Sequence, residues 1–334
     1  MEHSHILLAH GNGGRFMREL IREVFAQGLG DVGPDTQLDA APVRLPFAGE
    51  LLTTTDGFTV QPLEFPGGNI GSLAVHGTVN DLAVAGADPV SLTLNAFIEE
   101  GTEVALLRRL VAAMAAAARE AGVRIVAGDT KILRRGEGGG VYLATAGIGV
   151  RPAGVKLSMD LIQAGDAILV SGPVGDHGTA VMLAREAFGL RGDLRSDAAS
   201  VWPLTRVLRA MPGVRFMRDP TRGGIATVAH ELAQASGLQV RLWASQLPVR
   251  EPVRAVCDIV GYDPYYLACE GRVVVVVAAA QAQAVLAQLS AAGAPEAAIV
   301  GVFETGPKQA IVETHLGGER LLLELEDDPL PRIC

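Results

Sequence analysis

Apolar residues recur along the chain at two spacings, one typical of helices and one typical of strands. Ala and Leu repeat at helical spacing over residues 103–121, up to Gly122, which predicts the clearest helix in the sequence. Weaker helical patterns cover residues 16–27 and 71–85. The strands predicted in the first half, from short runs bounded by Gly and Pro, are residues 43–45, 50–55, 58–63, 91–97, 123–127 and 142–150.

The second half alternates in the same way. Its predicted strands are residues 166–171, 214–217, 239–243, 272–279 and 297–303, and its predicted helices are residues 178–188, 224–236 and 281–292. Strands and helices mixed in both halves predict an α/β (α+β) protein. The periodicity breaks over residues 151–165, so we expect a first domain over residues 1–155 and a second over residues 156–325.

The end of the chain differs from both halves. Residues 326–334 contain Pro329 and Pro331, which disfavour a helix and favour an extended backbone. We therefore predict a flexible tail, the usual state of a chain terminus. Its last residue is Cys334. A thiol there does not fit the prenylation pattern, which requires a cysteine four residues from the end.

Composition excludes several classes of protein. The 334 residues carry a net charge of −9, with 4% aromatic residues and no cluster of Lys and Arg, so nucleic acid is not an expected partner. The apolar runs are too short to span a membrane, and no secretory signal pattern opens the chain. Three cysteines without a CxxC spacing predict neither a disulfide framework nor a zinc site. We expect a cytoplasmic protein.

Aspartates flanked by Gly, Thr or Asn recur on separate segments and could hold a metal ion. They are Asp39, Asp56, Asp81, Asp129 and Asp219. Carboxylate oxygens together with phosphate oxygens are the ligands that Mg²⁺ prefers. Each aspartate alone is more simply explained by a turn or a helix cap, but five of them on separate segments favour a magnesium–phosphate site.

Two Gly-rich segments could bind phosphate through backbone N–H groups, at residues 11–14 and 221–224, although neither is a Walker A motif. Lys131 follows Asp129 and could balance phosphate charge, or it could form an ordinary salt bridge. Glu270 precedes the most apolar predicted strand, where burial could raise its pKa for work as a base. On the residues alone, a surface glutamate is the simpler interpretation.

Several motifs together resemble the HypE family of hydrogenase maturation proteins. They are LAHGNGG near the start, TTDGF, VNDLAVAGADP, AGDTK, RDPTRGG, ACEGR and the terminal PRIC. They follow one another along the whole chain in the order expected of that family. The interior motifs are shared with the wider aminoimidazole ribonucleotide synthetase-like superfamily, so the terminal cysteine motif is the specific feature.

This resemblance implies a fold, an activity and partners. The fold is the two-domain aminoimidazole ribonucleotide synthetase-like one, whose N-terminal half binds ATP and pairs with a second copy in a homodimer. The activity is carbamoyl dehydration: HypF loads a carbamoyl group onto Cys334, and the chain dehydrates it with ATP to a thiocyanate. A HypC–HypD complex would then receive the cyanide, which becomes a ligand of the iron in nickel–iron hydrogenases.

The resemblance also implies roles for individual residues. Lys131 and Glu270 would assist activation and proton removal at the carbamoylated Cys334. The five aspartates named above would share the contacts to Mg²⁺ and the nucleotide. The remaining nucleotide-binding residues implied are Gly11, Asn12, Gly13, Gly14, Asn80, Thr130, Arg222 and Gly223.

Two other functions stay open at this point. One is an ATP-dependent kinase or synthetase of the same superfamily that acts on a diffusible small molecule, which would leave Cys334 without a purpose. The other is an adaptor that carries a group on its tail without binding ATP. The tail chemistry requires two states, inserted for dehydration and released for loading, because tethering raises the effective concentration of the thiol only while the tail is inserted.

Overall fold

The computed structural model describes residue 1 and residues 3–36, 40–185, 189, 192–326 and 333–334, and it is a mixed α/β protein. Contacts within the chain divide it into two compact units. The first unit contains Met1–Leu82, Ala87–Ala153 and Cys334, and the second contains Ala83–Gly86 and Gly154–Ile333. Among the described residues, we find no helix whose length and apolar character would let it span a membrane.

The described residues of the N-terminal half form the following helices and strands. The helices are α1 (Arg15–Leu20), α2 (Gln27–Leu29), α3 (Ile70–Val84) and α4 (Val104–Ala121), with a π-helical segment (Ile21–Ala26) between α1 and α2. The strands are β1 (Gly49–Phe58), β2 (Glu64–Phe65), β3 (Gly68–Asn69), β4 (Asp88–Glu99), β5 (Arg124–Leu133) and β6 (Val141–Pro152).

The main sheet of the first unit has the strand order β1–β6–β4–β5. Strands β4 and β5 are parallel and α4 connects them, whereas β6 pairs antiparallel with both of its neighbours. Helix α4 buries one apolar face, including Leu107, Leu110 and Met114, and it ends at Gly122 in the left-handed conformation, with φ 69°. Within this chain β5 is therefore an edge strand.

The described residues of the second unit form further helices and strands. The helices are α5 (Asp176–Ala184), α6 (Trp202–Leu208), α7 (Gly224–Ser236), α8 (Glu251–Val260) and α9 (Ala282–Ala291). The strands are β7 (Ala167–Val170), β8 (Val214–Arg218), β9 (Gln239–Trp243), β10 (Val274–Val277), β11 (Ala298–Glu304), β12 (Ala310–Glu313) and β13 (Glu319–Leu321).

These strands form one sheet in the order β13–β12–β9–β11–β7–β10–β8. Strand β10 shows why its valine run is uninterrupted. Val274 and Val276 face the apolar cluster that contains α7, whereas Val275 and Val277 face the cluster that contains α9. A strand buried on both faces needs apolar side chains at every position, not at alternate ones.

The structure confirms the mixed fold and corrects several predicted elements. Residues 43–45 form no strand, because Pro42 and Pro46 flank them and lack a backbone donor. Residues 59–63 are not a strand either, since β1 ends at Phe58. Strand β5 runs beyond residue 127 and includes residues 128–133.

Six of the elements named above were not predicted from the sequence. These are α6, α8, β2, β3, β12 and β13. Pro203 and Pro252 lie in the first turns of α6 and α8. A proline there starts a helix, because its missing N–H group would have no partner in the first turn. The predicted tail, residues 326–334, lies largely outside the described residues, which include only Glu326, Ile333 and Cys334 of that segment.

Candidate active site

Strand β5 presents the two charged residues of the AGDTK motif on one face. Lys131 Nζ lies 2.8 Å from Asp129 Oδ2, and Asp129 Oδ1 accepts a 2.8 Å hydrogen bond from the Thr130 N–H group. The ammonium group of Lys131 is the main cause that lowers the pKa of the Asp129 carboxyl. Both side chains are exposed, at 64% for Lys131 and 50% for Asp129, so a phosphate group can reach the pair from solvent.

The Gly-rich turn packs beside this part of β5. A Cβ added to Gly11 would lie 3.1 Å from the Cβ of Ile132, which leaves little room for a side chain at that position. Gly13 adopts φ 76°, a conformation that favours glycine. The turn, which continues through Asn12 and Gly14, is exposed. The turn therefore begins against Ile132, the residue after Lys131.

Thr130 points away from that pair, into a cavity of about 180 Å³. The apolar wall of this cavity includes Phe25 and Leu94, and its polar lining includes Asp35. Thr130 is 8% exposed, and its Oγ1 is buried with no hydrogen-bond partner among the described residues. A buried hydroxyl without a partner is costly, so the cavity is suited to a ligand that offers a polar atom to Thr130.

Two aspartates share the face between β1 and α3. Thr54 Oγ1 donates a 2.7 Å hydrogen bond to Asp81 Oδ2, and a Cβ at Gly77 would lie 3.6 Å from Asp56 Oδ2. Residues 54 and 56 share a face of β1, and residues 77 and 81 share a face of α3, because of the periods of strand and helix. Asp56 and Asp81 therefore line the same surface. Asn80, which precedes Asp81, is buried.

The described residues include no group of three or more His, Cys, Asp and Glu side chains that could hold a metal ion alone. Asp39, one of the five predicted ligands, lies outside the described residues. Nucleotide-bound Mg²⁺ takes most of its ligands from phosphate and water and needs only one or two carboxylates. Asp56 and Asp81, on a common surface, fit that smaller requirement.

In the second unit, the RDPTRGG and ACEGR motifs pack against each other. The Cys269 N–H group donates a 3.0 Å hydrogen bond to the Pro220 carbonyl. A Cβ at Gly224 would lie 2.5 Å from the Leu267 carbonyl oxygen, so only glycine allows this approach. Asp219 is 8% exposed at the end of β8, whereas Arg222 is exposed and Gly223 precedes α7 with φ 69°.

Glu270 is a buried residue, only 2% exposed, and not the surface glutamate that the residues alone favoured. Its main chain is held by a segment that the sequence analysis did not identify. Asp197 Oδ1 accepts a 3.2 Å hydrogen bond from the Glu270 N–H group, and Asp197 Oδ2 accepts one of 3.4 Å from Gly271. The Glu270 carbonyl accepts a 3.5 Å hydrogen bond from the Ala199 N–H group. These bonds fix the backbone that carries the carboxylate.

The last residue of the chain is held in the first unit. A main-chain oxygen of Cys334 accepts hydrogen bonds of 3.0 Å from the Thr59 N–H group and 3.3 Å from Thr59 Oγ1. Cys334 itself is half-buried. The two other cysteines, Cys257 and Cys269, are buried, and burial raises the pKa of the Cys257 thiol to about 12 and that of Cys269 well above its usual value. Cys334 is thus the least buried of the three cysteines.

Comparison with known proteins identifies the family. The chain matches the models of the AIR synthase related protein N-terminal domain over residues 37–151 and C-terminal domain over residues 163–313. The carbamoyl dehydratase HypE of Azotobacter vinelandii is 45% identical over 330 residues, which cover 98% of this chain and 96% of that protein. The chain belongs to the HypE family.

Solved HypE structures share the fold. A structure of the hydrogenase maturation protein HypE in complex with ATP has a TM-score of 0.92 and 41% identity, and the match covers 98% of this chain and 99% of that chain. The HypE chain of a HypE–HypF complex has a TM-score of 0.79 and 40% identity, covering 93% of this chain and 99% of that chain. The aminoimidazole ribonucleotide synthetase-like fold is thereby confirmed.

Proposed function

We propose that this chain is an ATP-dependent carbamoyl dehydratase of hydrogenase maturation, and that it converts an S-carbamoyl group on its own Cys334 into a thiocyanate. Membership of the HypE family over almost the whole chain supports this activity. The observation that carries the assignment to Cys334 is its position. The terminal cysteine is the least buried of the three, and its main chain is hydrogen-bonded to Thr59 in the first unit, the unit that also contains the AGDTK motif.

The reaction removes one water from a thiocarbamate. The amide oxygen is a poor leaving group, so it attacks the γ-phosphorus of ATP, ADP departs, and the oxygen leaves later as phosphate. The nitrogen loses both of its protons as the carbon–nitrogen triple bond forms, and a base must accept them. The products are a thiocyanate on Cys334, ADP and phosphate, which balances the atoms of the carbamoyl group and ATP.

The first unit provides the groups that suit ATP. The Gly-rich turn of residues 11–14 offers backbone N–H donors for phosphate oxygens, and the exposed Lys131 of β5 offers a cation. Thr130 offers its buried hydroxyl to the part of the nucleotide that enters the cavity. Mg²⁺, when bound with ATP, would offset charge on the phosphates, and we assign Asp56 and Asp81 as its protein ligands. Asp39, Asp129 and Asp219 stay predicted contacts.

Glu270 and Lys131 are the two candidates for proton removal. Glu270 is buried on a backbone that Asp197 and Ala199 hold in place, which suits a group that must act at one position. Lys131 pairs with Asp129 and stabilises negative charge that develops during phosphoryl transfer. Removing either should stop dehydration without stopping the loading of Cys334.

The partners of the proposed reaction are HypF, a second copy of this chain and a HypC–HypD complex. The solved HypE–HypF complex supports HypF as the protein that loads Cys334. We assign the edge strand β5 to a homodimer contact, because an edge strand of ten residues offers main-chain groups to a second copy. HypC–HypD as cyanide acceptor, and a cytoplasmic location, stay predictions of the sequence.

An intact-mass experiment tests the activity. The protein is incubated with HypF, carbamoyl phosphate and Mg-ATP, beside a Cys334→Ala variant. We expect the gain of one carbamoyl group and then the loss of one water, both absent from the variant. ADP production on a soluble metabolite, without any mass change while HypF is active, would instead support the small-molecule kinase or synthetase.

A further inference from the structure

His177 is a fully buried histidine that the reaction described above does not use. It is the second residue of α5, and its exposed fraction is 0%. Its Nε2 lies 2.8 Å from the carbonyl oxygen of Ile333, the residue before the terminal cysteine, and its Nδ1 lies 2.8 Å from Ser196 Oγ. A buried side chain in the second unit therefore contacts the main chain of the tail.

The donor and acceptor roles in these hydrogen bonds follow from the two main-chain groups involved, the Ala198 N–H group and the Ile333 carbonyl. The Ala198 N–H group can only donate, and it donates to Ser196 Oγ at 3.0 Å. The Ile333 carbonyl can only accept, so His177 Nε2 carries the proton and donates it. Ser196 then donates its hydroxyl proton to Nδ1. Burial lowers the pKa of His177, in keeping with this neutral tautomer.

The side chain of Ile333 is held in the same place. It is 4% exposed and packs in an apolar cluster of the second unit. The other buried members of the cluster are Met182, Leu183, Leu194, Val253, Val256, Cys257, Leu267 and Ala268. The hydrogen bond from His177 fixes the main chain of residue 333, and the cluster accepts its side chain. Together they fix which residue of the tail lies at this site, and we call this the register of the tail.

The residues that hold His177 and Glu270 in place are neighbours in the sequence. Ser196 orients the imidazole, and the next residue, Asp197, accepts the hydrogen bonds from the N–H groups of Glu270 and Gly271. One short segment, residues 196–199, therefore holds the tail-binding histidine and the backbone of the candidate base. A displacement of this segment would move both.

We propose that His177, oriented by Ser196, is a positioning residue that clamps the main chain of Ile333 and so sets the register of the tail for dehydration. This inference rests on the proposed function. The clamp must open before Cys334 can be loaded by a partner, and its closure presents the carbamoylated thiol at a defined position. His177 does not touch the reacting atoms; it acts through residue 333.

The test compares four variants of the full chain. His177→Leu removes the hydrogen bond to the Ile333 carbonyl and fills the buried site with an apolar side chain. His177→Gln keeps an N–H donor at about the same reach. His230→Leu is the matched control, since His230 Nε2 also lies 2.8 Å from a main-chain carbonyl of the second unit, that of Leu322. A fourth variant, Ile333→Ala, shortens the tail side chain that packs in the apolar cluster and keeps His177.

Two readouts are measured on each variant. The first is the rate at which a thiol reagent labels Cys334 in the unloaded protein, followed by mass. The second is the single-turnover rate of dehydration after loading by HypF and carbamoyl phosphate. For His177→Leu and Ile333→Ala we expect labelling about tenfold faster and dehydration about tenfold slower, the effect of one lost buried interaction, with loading unimpaired. His177→Gln should recover most of both rates, and His230→Leu should match the wild type.

Equal labelling and dehydration rates in His177→Leu and the wild type would overturn the clamp. So would the same changes in His230→Leu, because they would indicate general loosening of the unit, or a failure of His177→Gln to recover either rate. If the wild-type protein is loaded and never dehydrated, the proposed function is wrong. The labelling comparison of the unloaded variants decides the clamp separately in that case.

Discussion

A substitution at Gly271 can distinguish the role of Glu270 in the reaction from its effect on the stability of the protein. Its backbone does not adopt a positive φ, so the reason for glycine is space. A Cβ at this position would lie 1.9 Å from the Asp197 carbonyl oxygen and 3.0 Å from the Ala199 nitrogen, both of them backbone atoms. The first distance is about 1.5 Å short of an ordinary contact, which begins at 3.4 Å. Gly271→Ala must therefore displace Glu270, the segment of residues 196–199, or both.

Two magnitudes follow from this displacement. Overpacking of a buried site costs about 1–3 kcal/mol of unfolding free energy, which a folded two-domain chain can tolerate. A shift of about 1 Å in a catalytic group lowers the rate of a positioned reaction by roughly 100-fold. We therefore expect Gly271→Ala to fold, to accept a carbamoyl group from HypF at the normal rate, and to dehydrate it about 100-fold more slowly.

The assay is a single turnover. The loaded protein is mixed with Mg-ATP, quenched at intervals, and the mass of its tail peptide is followed, while thermal unfolding reports stability. Gly318→Ala is the matched control, because a Cβ there would lie 3.5 Å from Thr314 Oγ1, an ordinary contact. Wild-type dehydration by a folded Gly271→Ala variant would refute the reasoning, since the clash would then be absorbed without moving the base.

Three further predictions concern single side chains. Lys131→Gln should slow dehydration at least tenfold with normal loading, because it removes the cation beside the candidate phosphate site; single-turnover rates check this. Thr130→Val should not lower the stability of the nucleotide-free protein, but it should lower the extra stability that Mg-ATP provides. The reason is that the Thr130 hydroxyl lacks a partner among the described residues until the nucleotide binds. Thermal unfolding with and without Mg-ATP separates the two effects. The pKa of Asp176 is raised from 3.8 to about 6, chiefly by burial and then by Asp197, so the folded state binds its proton more tightly than the unfolded state. As pH rises from about 4 to about 6, the unfolding free energy of the wild-type protein should fall by up to about 3 kcal/mol relative to that of Asp176→Asn. Urea unfolding of both proteins measures this difference. A difference that does not change with pH over that range would contradict the prediction.

Much of the fold could be predicted from local pattern. Helix α4 combines an apolar face with a terminal glycine, and both signals lie within its own eighteen residues and the next. Helices α6 and α8 were not predicted, although Pro203 and Pro252 are compatible with the first turn of a helix. The extension of β5 through Asp129 was missed because the glycine and charged residues of its second half are typical of loops. Pairing with β4, residue by residue from Asn95 to Glu99, keeps that half in the sheet.

The residues that hold the candidate site in place could not be predicted in this way. Asp197 and Glu270 are 73 residues apart, and His177 and Ile333 are 156 residues apart, far beyond any window in which periodicity is counted. Their interactions are also directed at main-chain groups. Asp197 accepts from the N–H groups of residues 270 and 271, Ser196 accepts from that of residue 198, and His177 donates to a carbonyl. Because every residue type except proline offers the same N–H group, and every residue offers the same carbonyl, the partner sequence carries no mark of these contacts. The motifs identify residues whose side chains suit a ligand, whereas the residues that position them become visible only when the chain is folded.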